Sequence, residues 1–196
     1  VFLWCFEMEA RPIGARFYQA VEGGIVYCAN KDGCLYVIDT KNGQLLQKIT
    51  VPDAIASTPA IDERHIYIAN DKNLLLALSR TTGEVVWQYK AQWGEFSTPT
   101  IDGDALLVTG RRINTLYCLE KQTGELIWAF PLGNHVKAEP IVVNEKGGED
   151  STVYIGSENG HLHAINRQTG GERWFCETGV TIKAAPAITE NGLFLG

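Results

Sequence analysis

The chain repeats one short pattern at nearly constant intervals along its length. Aligned on a glycine, the four copies read VIDTKNGQLLQ (37–47), ALSRTTGEVVW (77–87), CLEKQTGELIW (118–128) and AINRQTGGERW (164–174). The glycines are Gly43, Gly83, Gly124 and Gly170, at steps of 40, 41 and 46 residues. A period near 40 residues built from short strand-like segments is typical of propellers and solenoids, in which each repeat stacks on its neighbours.

Each copy has the composition of two strands joined by a tight turn. The apolar run LLLAL at 74–78 has strand length, and the glycine can supply the positive φ that the turn after it needs. A polar residue stands four positions before each glycine, where a short side chain can bond free N–H groups of the turn. These residues are Asp39, Ser79, Glu120 and Asn166, and we expect the long Glu120 side chain to act less locally.

A tryptophan stands four positions after the glycine in three of the four copies. The residues at this position are Gln47, Trp87, Trp128 and Trp174. A large aromatic side chain that recurs at the same point of a strand can bury its ring against the neighbouring repeat. We therefore predict a structural docking role for the three tryptophans and the four turn glycines, with all three indole rings buried.

The order small residue, polar residue, Thr-Gly and Trp resembles the tryptophan-docking motif of the β-propellers related to pyrroloquinoline quinone (PQQ) enzymes. Ala77, Cys118 and Ala164 match the small first position of that motif, and Gln47 departs from its last position. The copies span nearly the whole chain. The resemblance implies an all-β fold, a propeller of four-stranded antiparallel blades, similar to the propellers of outer-membrane assembly lipoproteins.

The repeats divide residues 1–196 into parts of one partial propeller. Residues 1–8 would be the outer strand of a preceding blade, full blades would cover about 16–50, 56–90, 96–130 and 138–177, and 183–196 would begin the next blade. The chain starts without methionine and ends in the strand-like segment LFLG. We interpret it as a fragment of a ring of seven or eight blades.

Composition argues against a nucleic-acid partner and against a membrane-spanning segment. The chain has 17 basic and 23 acidic residues, a net charge of −6, which disfavours nucleic acid as the partner. No apolar run approaches the length of a transmembrane helix, so no membrane-spanning segment is predicted.

The five cysteines all lie in or beside apolar strand segments. They are Cys5, Cys28, Cys34, Cys118 and Cys176, and we expect them to be buried free thiols. Pairing of Ala29 with Cys34 would place Cys28 and Cys34 on opposite faces of a hairpin, which disfavours a disulfide between them. The resembled family is mostly periplasmic or associated with the outer membrane, whereas unpaired thiols leave a cytoplasmic location open.

A candidate ligand site precedes the prolines of the inner strands, at Pro59, Pro99, Pro140 and Pro186. The basic residues three positions before these prolines, and at the matching place in the first repeat, are Lys137, Lys183 and Arg16. Thr58, Thr98 and Glu139 stand one residue before a proline, and Tyr18 and Phe96 would add flat apolar walls. A basic cluster at the channel mouth can hold an anionic ligand or an acidic partner segment. The alternative is that the lysines only extend into solvent at the rim.

Two histidines one residue apart form a second candidate site. His161 and His163 would share one face of a strand, a spacing compatible with metal ligation. The sequence shows no third ligand nearby. The other copies carry Tyr36, Leu76 and Tyr117 in place of His163, which favours a packed ring. No metal site is therefore predicted.

Three functions remain open at this point. The favoured one is a non-catalytic scaffold that binds a protein or a ligand, with no catalytic residue and no cofactor. A second is a fragment of a PQQ-dependent quinoprotein dehydrogenase, in which PQQ and calcium would occupy the channel; such enzymes carry an adjacent cysteine pair and long inserted loops that this sequence lacks. A third is a sensor propeller attached to a kinase or a synthetase.

Overall fold

A computed structural model describes residues 18–91, 94–110, 114–133, 135–144, 151–189 and 192–195 of the chain. The described residues form antiparallel sheets and contain no helix. They divide into two compact units, Val1–Pro99 and Thr100–Gly196. The prediction of an all-β fold of four-stranded antiparallel sheets is confirmed.

The first unit contains two four-stranded sheets. Sheet one consists of β1 (Tyr18–Glu22), β2 (Ile25–Ala29), β3 (Cys34–Asp39) and β4 (Leu45–Thr50), and sheet two of β5 (Ala60–Ile61), β6 (His65–Ala69), β7 (Leu74–Ser79) and β8 (Val85–Lys90). Each strand pairs with the next one in the chain, so the fourth strand of each sheet lies at an edge.

The second unit contains two more sheets of this kind and a two-stranded one. Sheet three consists of β9 (Thr100–Asp102), β10 (Ala105–Gly110), β11 (Thr115–Glu120) and β12 (Leu126–Pro131). Sheet four consists of β13 (Ile141–Val143), β14 (Thr152–Gly156), β15 (His161–Asn166) and β16 (Glu172–Glu177), and sheet five of β17 (Ala187–Thr189) and β18 (Gly192–Phe194).

The core of each unit lies between two successive sheets. In the first unit, Leu35 and Val37 of β3 belong to one buried cluster with Ile66 and Ile68 of β6. In the second unit, Leu107 and Leu116 of sheet three share a buried cluster with Val153, Ile155 and Ile165 of sheet four. The middle strands, such as β3 and β7, are buried along nearly their whole length, which explains their nearly continuous apolar sequences.

The glycine turns have the same geometry in all four repeats. Gly43, Gly83, Gly124 and Gly170 have φ of 71°, 76°, 74° and 71°, and each N–H donates to the carbonyl four residues earlier over 2.8–2.9 Å. The polar side chain before the turn accepts from turn N–H groups, as in Asn166 Oδ1 with Thr169 N at 2.9 Å. Glu120 does the same with Thr123 N at 2.5 Å, so the prediction that it would act less locally is wrong.

The small residue of the motif lies opposite the tryptophan on the neighbouring strand. The cross-strand pairs are Ala77 with Trp87, Cys118 with Trp128 and Ala164 with Trp174, and a register shift follows each pair toward the turn. A small side chain at this place leaves room for the indole ring on the same face of the sheet.

The indole of Trp128 contacts the turn of the following sheet. A Cβ added at Gly170 would lie 2.6 Å from Trp128 Cγ and Cδ2, and Trp128 Nε1–H donates to Arg167 O at 2.9 Å. The indole ring is thus packed against the turn, and its single N–H donor is hydrogen-bonded. The first unit shows the same arrangement without a tryptophan, because a Cβ at Gly83 would lie 2.9 Å from Gln47 Nε2 and 2.8 Å from Ile49 Cγ1.

The three tryptophans differ in burial. Trp87 and Trp128 are each 8% exposed, as predicted, and the Trp87 ring lies 6.0 Å from that of Tyr67. Trp174 is 45% exposed, so the prediction that it is buried is wrong. Its ring contacts Tyr154 at 5.7 Å, but the two strands of sheet five offer no Thr-Gly turn on which it could rest.

The cysteines also depart from expectation. Ala29 pairs with Leu35 rather than with Cys34, because Gly33, at φ 78°, adds one residue to the turn as a bulge. Cys28 and Cys34 therefore belong to the same buried cluster, and both are free thiols. Cys176 is exposed, contrary to prediction, while Cys118 is buried, and burial raises the pKa of its thiol to about 12. Cys5 lies outside the described residues.

Replacing Trp128 by Ala tests the docking of the ring. We expect a loss of about 3–5 kcal/mol in the free energy of unfolding, because a large side chain is removed from a closed site. Trp174→Ala is the matched control, since the same side chain is half exposed there, and we expect a loss of about 1 kcal/mol. Chemical denaturation of both variants measures the difference. Equal losses would contradict a docking role for Trp128.

Replacing Gly170 by Ala tests the turn that receives this ring. The new Cβ meets both the strain of a positive φ, about 1–2 kcal/mol, and the Trp128 ring, about 1–3 kcal/mol more. Gly179 provides the control, because it has φ 72° and nothing within 4 Å of an added Cβ. Thermal unfolding should show that Gly170→Ala costs clearly more than Gly179→Ala; similar losses would show that the contact contributes nothing.

Candidate functional site

The residues predicted at the channel mouth fall in both units. Arg16 lies outside the described residues. Thr58 and Thr98 are half-buried residues of the first unit, whereas Lys137, Glu139 and Lys183 are exposed residues of the second. Phe96 is fully buried with its ring 6.2 Å from that of Tyr89, so it cannot serve as the open wall that the sequence suggested.

The lysines of the second unit have an acidic neighbour that the sequence analysis missed. Lys137 Nζ lies 2.7 Å from Glu158 Oε1, and this contact lowers the pKa of the Glu158 carboxyl, with a smaller contribution from the charge of Lys183. Glu158 follows β14, about twenty residues after Lys137 in the chain, so local spacing gave no signal for the pair. The carboxylate offsets one of the two positive charges, and the Lys137 side chain remains 63% exposed.

Two arginines at the same position of the repeat join successive sheets, and sequence analysis missed both. Arg80 Nε donates to Tyr27 Oη at 2.8 Å, and its Nη1 lies 3.4 Å from Glu22 Oε2. Arg167 Nε donates to Asp102 Oδ2 at 2.8 Å, and its Nη2 also contacts Asp104. Each arginine stands three residues before a turn glycine and reaches the first hairpin of the preceding sheet. Their shared place in the alignment is the signal that would have found them.

The histidines of β15 are packed rings, as the comparison of the repeats favoured. His163 is buried, its ring lies 5.7 Å from that of Phe130 and 6.3 Å from that of Phe175, and its Nδ1 is 2.7 Å from Glu172 Oε1. His161 lies at the same face, 5.9 Å from His163 between ring centres. In the part of the chain that the structure describes, no three His, Cys, Asp or Glu side chains are grouped so as to hold a metal ion.

An exposed apolar pair begins the fourth strand of three sheets. The pairs are Leu45–Leu46 on β4, Val85–Val86 on β8 and Leu126–Ile127 on β12, with 38–50% of each side chain exposed. The corresponding residues of β16 are Glu172 and Arg173. Because these strands lie at sheet edges, the pairs stand beside a row of backbone groups that the sheet itself does not pair.

Antiparallel meanders whose fourth strand rests on the glycine turn of the next sheet define the class of tryptophan-docking β-propellers. Residues 2–95 and 92–147 match the family described as Outer membrane protein assembly factor BamB, and the chain belongs to this family. No helix among the described residues is long and apolar enough to cross a membrane.

The similar proteins include a BamB protein and a quinoprotein enzyme. The chain is 26% identical over 146 residues to Outer membrane protein assembly factor BamB of Kangiella koreensis, which covers 74% of this chain and 36% of that protein. It is 28% identical to a quinoprotein alcohol dehydrogenase of Pseudomonas putida, over 69% of this chain and 26% of the enzyme. The chain thus spans little more than a third of the BamB relative's length.

Solved structures show the same fold. The crystal structure of BamB from Moraxella catarrhalis superimposes with a TM-score of 0.77 at 20% identity, covering 91% of this chain and 57% of that one. A computationally designed protein, Ika8, superimposes with a TM-score of 0.75 at 15% identity. The propeller predicted from the repeat is therefore confirmed as the fold class.

Proposed function

We propose that the chain is part of a non-catalytic scaffold that binds a partner protein along the edge strands of its sheets. The observation that carries this proposal is the apolar pair repeated at the start of β4, β8 and β12. Single exposed apolar residues are ordinary, but the same exposed pair in three successive repeats is a surface feature of the repeat itself. A partner that covers these pairs removes them from water.

The chemistry of the edge defines the kind of partner. An extended segment can add to a sheet edge through backbone hydrogen bonds, while its alternate side chains contact the apolar pair. Relatives of this chain are named for the assembly of outer membrane proteins. Strands of such proteins alternate apolar and polar residues, which suits an apolar edge of this kind. We propose that the partner presents a segment with that alternation.

A labelled ten-residue peptide of alternating apolar and polar residues tests this proposal by fluorescence anisotropy. The double substitution Val85→Glu with Val86→Arg gives β8 the charged pair that β16 already has, and we expect it to remove one binding site per chain. The control is the same peptide with methyl groups on alternate backbone nitrogens, which keeps the side chains but cannot pair with an edge. If the methylated peptide binds equally well, edge pairing is not the mode of binding.

We also propose that Lys137 and Lys183 bind acidic groups weakly at the predicted channel mouth. Two lysines facing one carboxylate, Glu158, leave one positive charge in excess, and Glu139 nearby in sequence further reduces the attraction for an anion. Exposed charges of this kind are screened by salt. The balance favours a transient contact with an acidic peptide over a dedicated cofactor site.

Calorimetry with hexaglutamate and with PQQ, each with and without calcium, tests this second proposal. We expect weak hexaglutamate binding that disappears at high salt and is lost in the Lys137→Gln, Lys183→Gln double variant. Lys41→Gln, in an exposed turn of sheet one, is the control and should bind as the parent chain does. Stoichiometric, calcium-dependent PQQ binding would instead support the quinoprotein alternative.

A further inference from the structure

A small pocket opens between sheet three and sheet four of the second unit. It has a volume of about 260 Å³ and lies between Phe130, at the end of β12, and a group on sheet four formed by His161, His163, Glu172 and Phe175. Pockets for drug-sized ligands are larger. The volume is that of a single side chain, so the pocket suits one residue of a partner or one small group.

The buried histidine leaves one polar atom of this pocket without a partner. His163 Nδ1 lies 2.7 Å from Glu172 Oε1. In the neutral tautomer that carries its proton on Nδ1, this N–H donates to the carboxylate. Nε2 is then an acceptor. It is buried, and among the described residues it has no hydrogen-bond partner. Buried polar atoms are nearly always hydrogen-bonded, so a donor group on a ligand would satisfy Nε2.

The other walls of the pocket favour a positive charge. Its described lining contains the Glu172 carboxylate and neither lysine nor arginine. A second carboxylate stands close by, with Glu177 Oε1 3.6 Å from His161 Nε2. Aromatic rings supply much of the remaining surface, and the ring centres of His161 and Phe175 are 5.5 Å apart. Faces of aromatic rings attract cations, most strongly where water is partly excluded.

The fold does not require these polar residues. At the same repeat positions of sheet two stand Leu74, Leu76 and Val85, in place of His161, His163 and Glu172. Leu76 is fully buried there in the core between sheets one and two. An apolar version of this interface therefore packs well, so packing alone does not call for the polar residues of sheet four.

We propose that this pocket binds the guanidinium group of an arginine side chain. A guanidinium is planar and stacks on an aromatic ring, and its five N–H groups can donate to Glu172 and to His163 Nε2 at the same time. An ammonium group carries its donors tetrahedrally and does not stack in this way. The inference goes beyond the scaffold proposed above and stands without it, because it concerns a different surface of the chain.

Titration of the full chain with N-acetyl-L-arginine amide, followed by NMR of the histidine and phenylalanine side chains, tests the proposal. We expect saturable shifts of His163 and Phe175 with a dissociation constant in about the millimolar range. The citrulline analogue has nearly the same shape without the charge, and we expect at least tenfold weaker binding. The lysine analogue should also bind more weakly. Equal binding of citrulline or of lysine would overturn the assignment.

Two substitutions locate the bound group. Glu172→Gln removes the charge at constant size, and His163→Leu installs the residue that sheet two carries; each should weaken arginine binding at least tenfold while the chain stays folded by circular dichroism. Glu125→Gln, an exposed acidic residue of the second unit, is the control and should leave the affinity unchanged. Unchanged affinity in Glu172→Gln would overturn the proposal, whatever the edge strands bind.

Discussion

The contact between the fourth strand of one sheet and the glycine turn of the next determines how the repeats assemble. At Gly170 and Gly83 the space beside the glycine is already occupied by Trp128 and by Gln47 with Ile49. The positive φ allows the turn to close, and the missing side chain allows the neighbouring strand to approach. One residue type thus satisfies a backbone requirement and a packing requirement, which is why the glycine marks every repeat although the tryptophan does not.

Stability in such an assembly comes from interfaces between neighbours rather than from single sheets. Trp128 shows a docking residue with its neighbour present: its ring rests on the turn of the following sheet and is 8% exposed. Trp174 shows the other state, a docking residue whose receiving turn is absent from the described chain. The stability of repeat proteins is approximately a sum of terms for single repeats and for the interfaces between them, so the burial of a docking residue depends on the neighbouring turn.

Local features were predictable from sequence and non-local ones were not. The turns, the strands and the burial of Trp87 and Trp128 follow from spacing within one repeat. The shared face of Cys28 and Cys34 depends on a one-residue bulge at Gly33, and a shift of one residue exchanges the faces of a strand. The carboxylate of Glu158 beside Lys137, and the reach of Arg167 to Asp102, depend on residues far apart in the chain. The spacing within one repeat gives no signal for such pairs, and only a comparison of the repeats brings out the shared position of Arg80 and Arg167.

The two arginine contacts join a sheet to one fixed position of the preceding sheet. Arg167 meets a hairpin with Asp102 and Asp104, whereas Arg80, at the same repeat position, meets Tyr27 and Glu22. During folding, repeats of similar sequence risk pairing out of turn, and repeat proteins are prone to this kind of misassembly. Glu22, Asp62 and Asp102 occupy the same position of three successive repeats, so an arginine contact at this position fixes the point at which two sheets join but does not distinguish one hairpin from another.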